Sequence, residues 1–148
     1  CILAENLFLK GDTTRALKVI DKCLSEFPRE VVNLTYFTIP IIDLYYKSEE
    51  FEKGDELLAT MIDDYFKEYY YLSDFERGAG VKQNLNIASQ VLGSLTRVMQ
   101  IHSRGNASFD YFEEDNLYYR SKDNSPKEEI SYSDYRINTF LDEFYALQ

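Results

Sequence analysis

Two groups of residues carry side chains suited to acid–base chemistry or metal binding. His102 is the only histidine of the 148-residue chain and ends an apolar helical pattern. Proton transfer by a histidine needs partner groups, and none can be named here, so we interpret His102 as a packing or capping residue. Asp110, Glu113, Glu114 and Asp115 lack the alternate-residue oxygen spacing and central glycine of a calcium loop. We interpret this acidic group as a solvated helix face.

The sequence contains no ligand pattern for zinc, no phosphate-binding loop and no nucleophile motif. We therefore expect no catalytic residue, no metal site and no cofactor in this chain. An unrelated helical enzyme is a remote alternative.

Tyrosine is the residue type that points to recognition. The chain has 13 tyrosines, and several come in pairs or runs: Tyr45, Tyr46, Tyr65, Tyr69, Tyr70, Tyr71, Tyr118 and Tyr119. Packing at helix interfaces, with the hydroxyl at the rim, accounts for most of them. The alternative is a recognition surface, because tyrosine is favoured where proteins meet partners.

Length and charge limit the class of protein. A chain of 148 residues with 45% apolar residues suits one domain with a real core. The net charge of −10 makes a nucleic-acid backbone an unfavourable partner. No apolar run approaches the ~20 residues that span a bilayer. There is no initiator methionine and no signal peptide, so we expect a piece of a longer protein.

The stretch that organises the chain is Lys10–Pro28. Gly11 favours a turn, and Thr13 or Thr14 is expected to cap the next helix. Apolar residues then recur at three- and four-residue spacing: Ala16, Leu17, Ile20, Cys23, Leu24 and Phe27. This series resembles the tetratricopeptide consensus, with small residues at the positions of Ala16 and Cys23. The resemblance implies a pair of packed helices, 2–9 and 13–27.

A shift of 38 residues repeats this pattern. Small residues fall on small ones and large on large, with Cys23 on Met61 as the exception: Leu7 on Tyr45, Phe8 on Tyr46, Ala16 on Gly54, Ile20 on Leu58, Leu24 on Ile62. The tetratricopeptide period is about 34 residues. The glycine of the turn is lost, since Glu49 takes the place of Gly11.

The sequence pattern also predicts helices in the remaining chain. Pro40 predicts that the next helix starts at Ile39 or kinks there. A heptad-like apolar seam predicts a helix over 81–102, and the aromatic, acidic stretch 109–120 is expected to be its partner helix. A last helix is predicted over 132–147. We therefore expect one all-α domain over 1–148, a right-handed stack of three helical hairpins (2–27, 36–71, 81–120) with a C-terminal capping helix.

The tetratricopeptide resemblance also implies a binding surface. Such domains bind partners along the concave face formed by the first helix of each hairpin. Carried onto this sequence, that face is formed by Glu5, Phe8, Tyr36, Asp43, Tyr46 and Lys47. The implied partner is a protein or peptide.

A narrower resemblance lies in YFTIPIIDLYYK, residues 36–47. This stretch resembles the extramembrane C-terminal region of large bacterial multispanning membrane proteins that are related to protein O-mannosyltransferases. That region is classed as a domain of unknown function. The resemblance covers about residues 4–71. It implies that the chain is the non-spanning tail of a glycosyltransferase-like parent, facing the periplasm at the inner membrane, with a cytoplasmic placement as the alternative.

These observations favour a non-catalytic scaffold that positions a protein partner, or the parent's own acceptor substrate. The alternative is a glycan-binding helical module whose exposed tyrosines stack on sugar rings. Rings along an extended groove would favour a peptide, and paired rings lining a short pocket would favour a sugar.

Overall fold

The computed structural model describes residues 2–26, 38–75, 78–105, 108–123 and 125–147. Over these residues the chain forms six helices and three strands. They are α1 (Ile2–Leu9), α2 (Thr13–Glu26), α3 (Ile39–Lys47), α4 (Phe51–Ser73), α5 (Ala79–Ile101), β1 (Asp110–Glu114), β2 (Leu117–Ser121), β3 (Glu128–Ile130) and α6 (Tyr132–Ala146). In this part of the chain, no helix is both long and apolar enough to cross a membrane.

The expectation of an all-α stack of hairpins is wrong, because the stretch 109–120 forms two strands of an antiparallel sheet and not a helix. Its aromatic residues have high strand propensity. Asp115 and Asn116 take positive φ values of 51° and 64°, which give a two-residue turn between the strands. The sequence does contain a signal for this hairpin. The polar pair Asp115-Asn116 stands between the aromatic pairs Tyr111-Phe112 and Tyr118-Tyr119.

The chain divides into two compact units, Cys1–Leu57 and Leu58–Gln148, with the boundary inside α4. In the first unit, α1 and α2 agree with the predicted helices 2–9 and 13–27 over the described residues. The helix α3 begins at Ile39, so Pro40 lies in its first turn, where a missing N–H costs nothing. The cap of α2 is not Thr13 or Thr14, since Asp12 accepts the backbone N–H of Arg15 at 3.2 Å.

Two turns of this unit have the same geometry at an offset of 38 residues. Gly11 N–H bonds to the Phe8 carbonyl at 2.9 Å, and Glu49 N–H bonds to the Tyr46 carbonyl at 3.1 Å. The next residue in each turn, Asp12 or Glu50, bonds back five residues at 2.9 Å. Gly11 has φ +80° and Glu49 has φ +61°. Both helices therefore end in the same left-handed cap, although only the first turn has a glycine.

In the second unit the core is formed by one face each of α4, α5 and α6. Its buried residues include Met61, Ile62, Phe66, Ala88, Leu92, Leu95, Met99, Ile137, Phe140 and Phe144. The second apolar edge predicted for α5 is only partly covered, because Val91 and Val98 are buried whereas Ile87 and Ile101 are 48% and 65% exposed.

The sheet has the order β1-β2-β3 and is antiparallel throughout. Phe112 lies opposite Tyr119 with ring centroids 5.7 Å apart, on one face. Tyr118 is on the other face, where its ring lies 5.0 Å from Tyr132 and 4.7 Å from Tyr135 of α6. One sheet face therefore packs on α6, as strand alternation requires.

Candidate functional site

The predicted groove residues occupy different environments in the first unit. Tyr36 lies outside the described residues. Glu5 and Phe8 are half-buried on α1. Asp43 and Lys47 form an ion pair at 2.7 Å across one turn of α3, with Lys47 about half exposed. The assignment of these residues to a binding groove stays a prediction.

Tyr46 is a core residue of that unit. It is 3% exposed, and its hydroxyl donates to the Asp55 carboxylate at 2.8 Å. A Cβ built on Gly54 would lie 2.7 Å from the Tyr46 ring. Glycine at position 54 is therefore needed for the close approach of the ring to α4, and the ring presents almost no surface to a partner.

The tyrosine runs divide into packed and exposed residues. Tyr45 is 2% exposed, and its hydroxyl donates to Asp21 at 2.7 Å. Tyr70 and Tyr71, near the end of α4, are 45% and 64% exposed. Phe75, just beyond this helix, is 47% exposed, and its ring packs edge-on against Tyr71 at a centroid distance of 4.8 Å. We call Tyr70, Tyr71 and Phe75 the aromatic surface.

A small depression lies beside the aromatic surface. It has a volume of about 230 Å³ and is lined by Tyr69 of α4 and by Lys82, Leu85, Asn86 and Ser89 of α5. The Tyr69 ring, which lines the depression, packs edge-on against the Tyr70 ring of the aromatic surface at a centroid distance of 6.0 Å. Apolar rings beside a polar-lined hollow can receive a side chain from another molecule.

A second, larger cleft separates β1 from α6. Its volume is about 410 Å³. It is lined by Gly105, Phe109, Asp110, Tyr111, Asn138, Thr139, Leu141 and Asp142. We call it the β1–α6 cleft. The sequence pattern did not predict this cleft, because a helix over 109–120 would present no strand to line it.

Arg120 of β2 lies opposite Tyr111, one of the residues that line this cleft. Arg120 pairs with Glu128 at 3.0 Å and with Asp134 at 3.8 Å, and its guanidinium lies 4.7 Å from the centre of the Phe109 ring. Burial raises the pKa of Tyr111, the Asp134 carboxylate adds to this rise, and Arg120 opposes it. The Tyr111 side chain therefore stays a neutral phenol.

The α6 wall of the cleft is held against α4 by a charged network. Arg136 donates to the Asp63 carboxylate at 2.5 Å and to Glu143 at 2.5 Å, and its guanidinium lies 5.1 Å from the Phe66 ring centre. The Tyr132 hydroxyl also donates to Asp63. Burial and this hydrogen bond raise the pKa of Tyr132, so the phenol remains the donor.

His102 and the acidic group Asp110, Glu113, Glu114 and Asp115 lie on different elements, and the acidic group is on β1 and its turn and not on the helix face that the sequence predicted. His102 is half-buried at the end of α5, where its backbone N–H bonds to the Val98 carbonyl at 3.2 Å. Glu114 forms an ion pair with Lys127 at 2.6 Å. Within the described ranges, no group of three or more His, Cys, Asp or Glu side chains is placed to hold a metal ion.

Comparison with known proteins finds no matching family model, no curated protein of similar sequence and no solved structure of similar fold. The depression, the β1–α6 cleft and the aromatic surface therefore suggest a function only through their own geometry.

Proposed function

We propose that this chain is a non-catalytic protein-binding domain that acts as a scaffold. The observation that carries the proposal is the aromatic surface. Tyr70, Tyr71 and Phe75 are 45%, 64% and 47% exposed within six positions of the chain, whereas Phe66 of α4 is 2% exposed. Aromatic rings at a surface contribute large apolar area to an interface while losing little side-chain entropy.

A protein partner fits this surface better than a sugar. The rings of Tyr71 and Phe75 meet at an interplanar angle of 67°, so they do not form one flat platform for a sugar ring. The Tyr70 hydroxyl is used in a bond to Glu143 at 3.2 Å, which orients that ring at the rim. A glycan-binding module stays the second candidate, because Tyr71 alone still offers an open face.

The chain is further proposed to be the non-spanning tail of a membrane glycosyltransferase-like parent, facing the periplasm. This part of the proposal rests on the resemblance of residues 36–47 and on no contact in the fold. Sequencing the gene upstream of Cys1 tests it. A series of apolar runs of about 20 residues supports the tail, whereas a signal peptide followed by helical repeats contradicts it.

Site-specific photocrosslinking tests the binding function. A photoreactive phenylalanine replaces Tyr71 in the intact parent protein, and a second variant carries it at Tyr145, which is 56% exposed on α6 and serves as the control. We expect a saturable protein adduct from position 71 and none from position 145. The purified partner should then bind Tyr71→Ala about 10-fold more weakly and Tyr145→Ala with unchanged affinity.

Two results would overturn the protein-binding function. One is adduct formation equal at both positions, which indicates random contact. The other is an adduct from position 71 that glycosidases remove and proteases do not, which would instead establish the glycan-binding alternative.

A further inference from the structure

In the part of the chain that the structure describes, β1 lies at an open edge of the sheet. Its only strand partner among the described residues is β2. In a two-residue hairpin the pair that flanks the turn, Glu114 and Leu117, is hydrogen-bonded, and hydrogen-bonded pairs alternate from there. Tyr111 and Glu113 consequently direct their backbone N–H and C=O groups away from β2. These are the groups with which a further strand pairs.

The β1–α6 cleft lies beside the first two residues of this edge strand, Asp110 and Tyr111. Phe109, Asp110 and Tyr111 follow one another in the chain, and all three line it. Asp110 and Tyr111 belong to β1. Successive side chains of a strand point to opposite faces, so a cleft that both residues line lies at the edge of the strand and not over one face. The opposite wall is one side of α6, where Asn138 and Asp142 are four residues apart.

The edge is charged but not blocked. Proteins commonly protect an open edge with proline, with lysine or with a bulge. The five residues of β1 include neither proline nor lysine, and they pair with β2 in unbroken register. The charges that β1 carries are negative, which repels acidic strands and attracts basic ones.

Three carboxylates around the edge have no ion pair with any residue that the structure describes: Asp110, Glu113 and Asp142. Neither Arg120 nor Lys122 forms an ion pair with them. Arg120 is engaged with Glu128 and Asp134, and the Lys122 ammonium lies 5.9 Å from the Phe109 ring centre. An exposed carboxylate without a partner gives complementarity to a cation at little desolvation cost.

We propose that the β1–α6 cleft binds an extended, basic peptide segment that adds to β1 as a further strand. The backbone groups of Tyr111 and Glu113 supply the hydrogen bonds. Since Asp110 and Asp142 both line the cleft, lysine or arginine side chains on either side of the added strand find a carboxylate. This inference rests on the proposed protein-binding function and names the chemistry of the partner.

The test uses the whole chain and a synthetic probe, acetyl-Val-Lys-Lys-Val-Lys-Val amide, with the glutamate analogue as its matched control. Calorimetry should show binding of the lysine peptide that weakens with added salt, and no binding of the glutamate peptide. We expect about a 10-fold loss of affinity in Asp110→Asn/Asp142→Asn. Glu129→Gln, an exposed charge on β3 outside the cleft, should change the affinity by less than about 2-fold.

A proline substitution tests strand addition itself. Glu113→Pro removes an N–H that faces away from β2, whereas Glu113→Gln removes the same charge and keeps the N–H. Binding should fall about 10-fold more in the proline variant than in the glutamine variant. Equal affinities in the two variants would overturn strand addition.

A second measurement leaves the protein unchanged, in case Glu113→Pro disturbs the hairpin. The lysine peptide is N-methylated at alternate residues, in two versions that each block one of its edges. One version should bind like the parent peptide and the other should not bind. Equal binding by both versions overturns the proposal, and so does equal binding of the lysine and glutamate peptides.

The two proposals fail separately. If the crosslinked partner is lost in Tyr71→Ala and unaffected by Glu113→Pro and Asp110→Asn/Asp142→Asn, the protein-binding function stands and the cleft is not its peptide site. If the lysine peptide binds the cleft as described and position 71 gives no adduct, strand addition stands and the aromatic surface is not the interface.

Discussion

Arg136 ties α4 to α6 in the Leu58–Gln148 unit. Its guanidinium reaches two carboxylates on different helices, Asp63 of α4 and Glu143 of α6, and covers the ring of Phe66. The Arg136 side chain is 12% exposed and the two carboxylates are about a third exposed. A largely buried guanidinium that donates to two different carboxylates from its planar fork cannot be fully replaced by a single ammonium.

Substituting Arg136 should destabilise the second unit. Arg136→Ala leaves Asp63 and Glu143 without their cation, and we expect a loss of about 2 kcal/mol in the free energy of unfolding. Arg136→Lys should recover only part of this. The measurement is urea unfolding, with Arg97→Ala, an exposed arginine on α5, as the control that stays within about 0.5 kcal/mol of the wild type. An equal effect of the two alanine variants would contradict the role of the network.

The carboxylate of Asp21 makes the first unit sensitive to acid. Burial by itself would raise the pKa of Asp21, but hydrogen bonds from Lys53, at 2.9 Å, and from Tyr45 outweigh it, so the pKa lies below its ordinary value of 3.8. Because the folded-state pKa is depressed, the stabilisation is present above pH 3.8 and is lost as the pH falls through the folded-state pKa.

Measuring unfolding against pH tests this assignment. The stability of the wild type should decrease as the pH falls below 3.8, and Asp21→Asn should remove that part of the pH dependence. The loss at neutral pH should be about 1 kcal/mol or less, since the Lys53–Asp21 pair is nearly half exposed. If Asp21→Asn loses stability below pH 3.8 as steeply as the wild type does, other carboxylates are responsible for the acid sensitivity.

Among the helices, α1 and α3 both end in a left-handed turn, although only one of the two turns has a glycine. Glycine therefore favours this turn but is not required for it. Gly11 and Glu49 close α1 and α3 with matching hydrogen bonds. The left-handed backbone at φ +61° costs free energy for glutamate, because its Cβ is crowded there, and does not for glycine. The penalty is tolerated because both cap hydrogen bonds are formed.

Glu49→Gly should therefore stabilise the protein by about 0.5–1 kcal/mol, because it relieves the left-handed strain. Glu52→Gly is the matched control. It changes the same residue type in the first turn of α4, where φ is helical, and should destabilise by up to about 1 kcal/mol. Thermal and urea unfolding of both variants check the signs. A loss of stability in Glu49→Gly would mean that the glutamate side chain contributes more than its backbone strain costs.

The whole molecule carries a net charge of −10, and its unpaired carboxylates include those around the β1–α6 cleft. A surface of this sign repels polyanions and attracts polycations at distances up to about a Debye length. The charge therefore bears on the choice of partner and not on the fold.

A DNA-binding measurement tests whether the net negative charge excludes a nucleic-acid partner. Fluorescence anisotropy with a labelled duplex at physiological salt should detect no binding up to about 10 μM protein. The control is a duplex titrated with a basic DNA-binding domain. Saturable binding of the duplex below that concentration would contradict the exclusion of nucleic acid.

The sequence by itself determined most of the helices. Apolar periodicity, Pro40 and the Gly11 turn are local signals, so the helices over 2–9, 81–102 and 132–147 agree closely with α1, α5 and α6. The prediction of a helix over 109–120 was wrong, because these residues form strands and strand pairing is non-local. A five-residue aromatic strand has no distinctive period of its own, and β1 is defined by its register with β2.

Only the tertiary structure decided which residues are exposed. Tyr46 and Tyr71 are the same residue type in similar tyrosine runs, yet one is 3% exposed and the other 64%. The difference comes from what packs on each ring, and the sequence pattern does not contain that information. The β1–α6 cleft likewise exists only because the strand and α6 are brought side by side by packing, and its two aspartates are 32 positions apart in the chain.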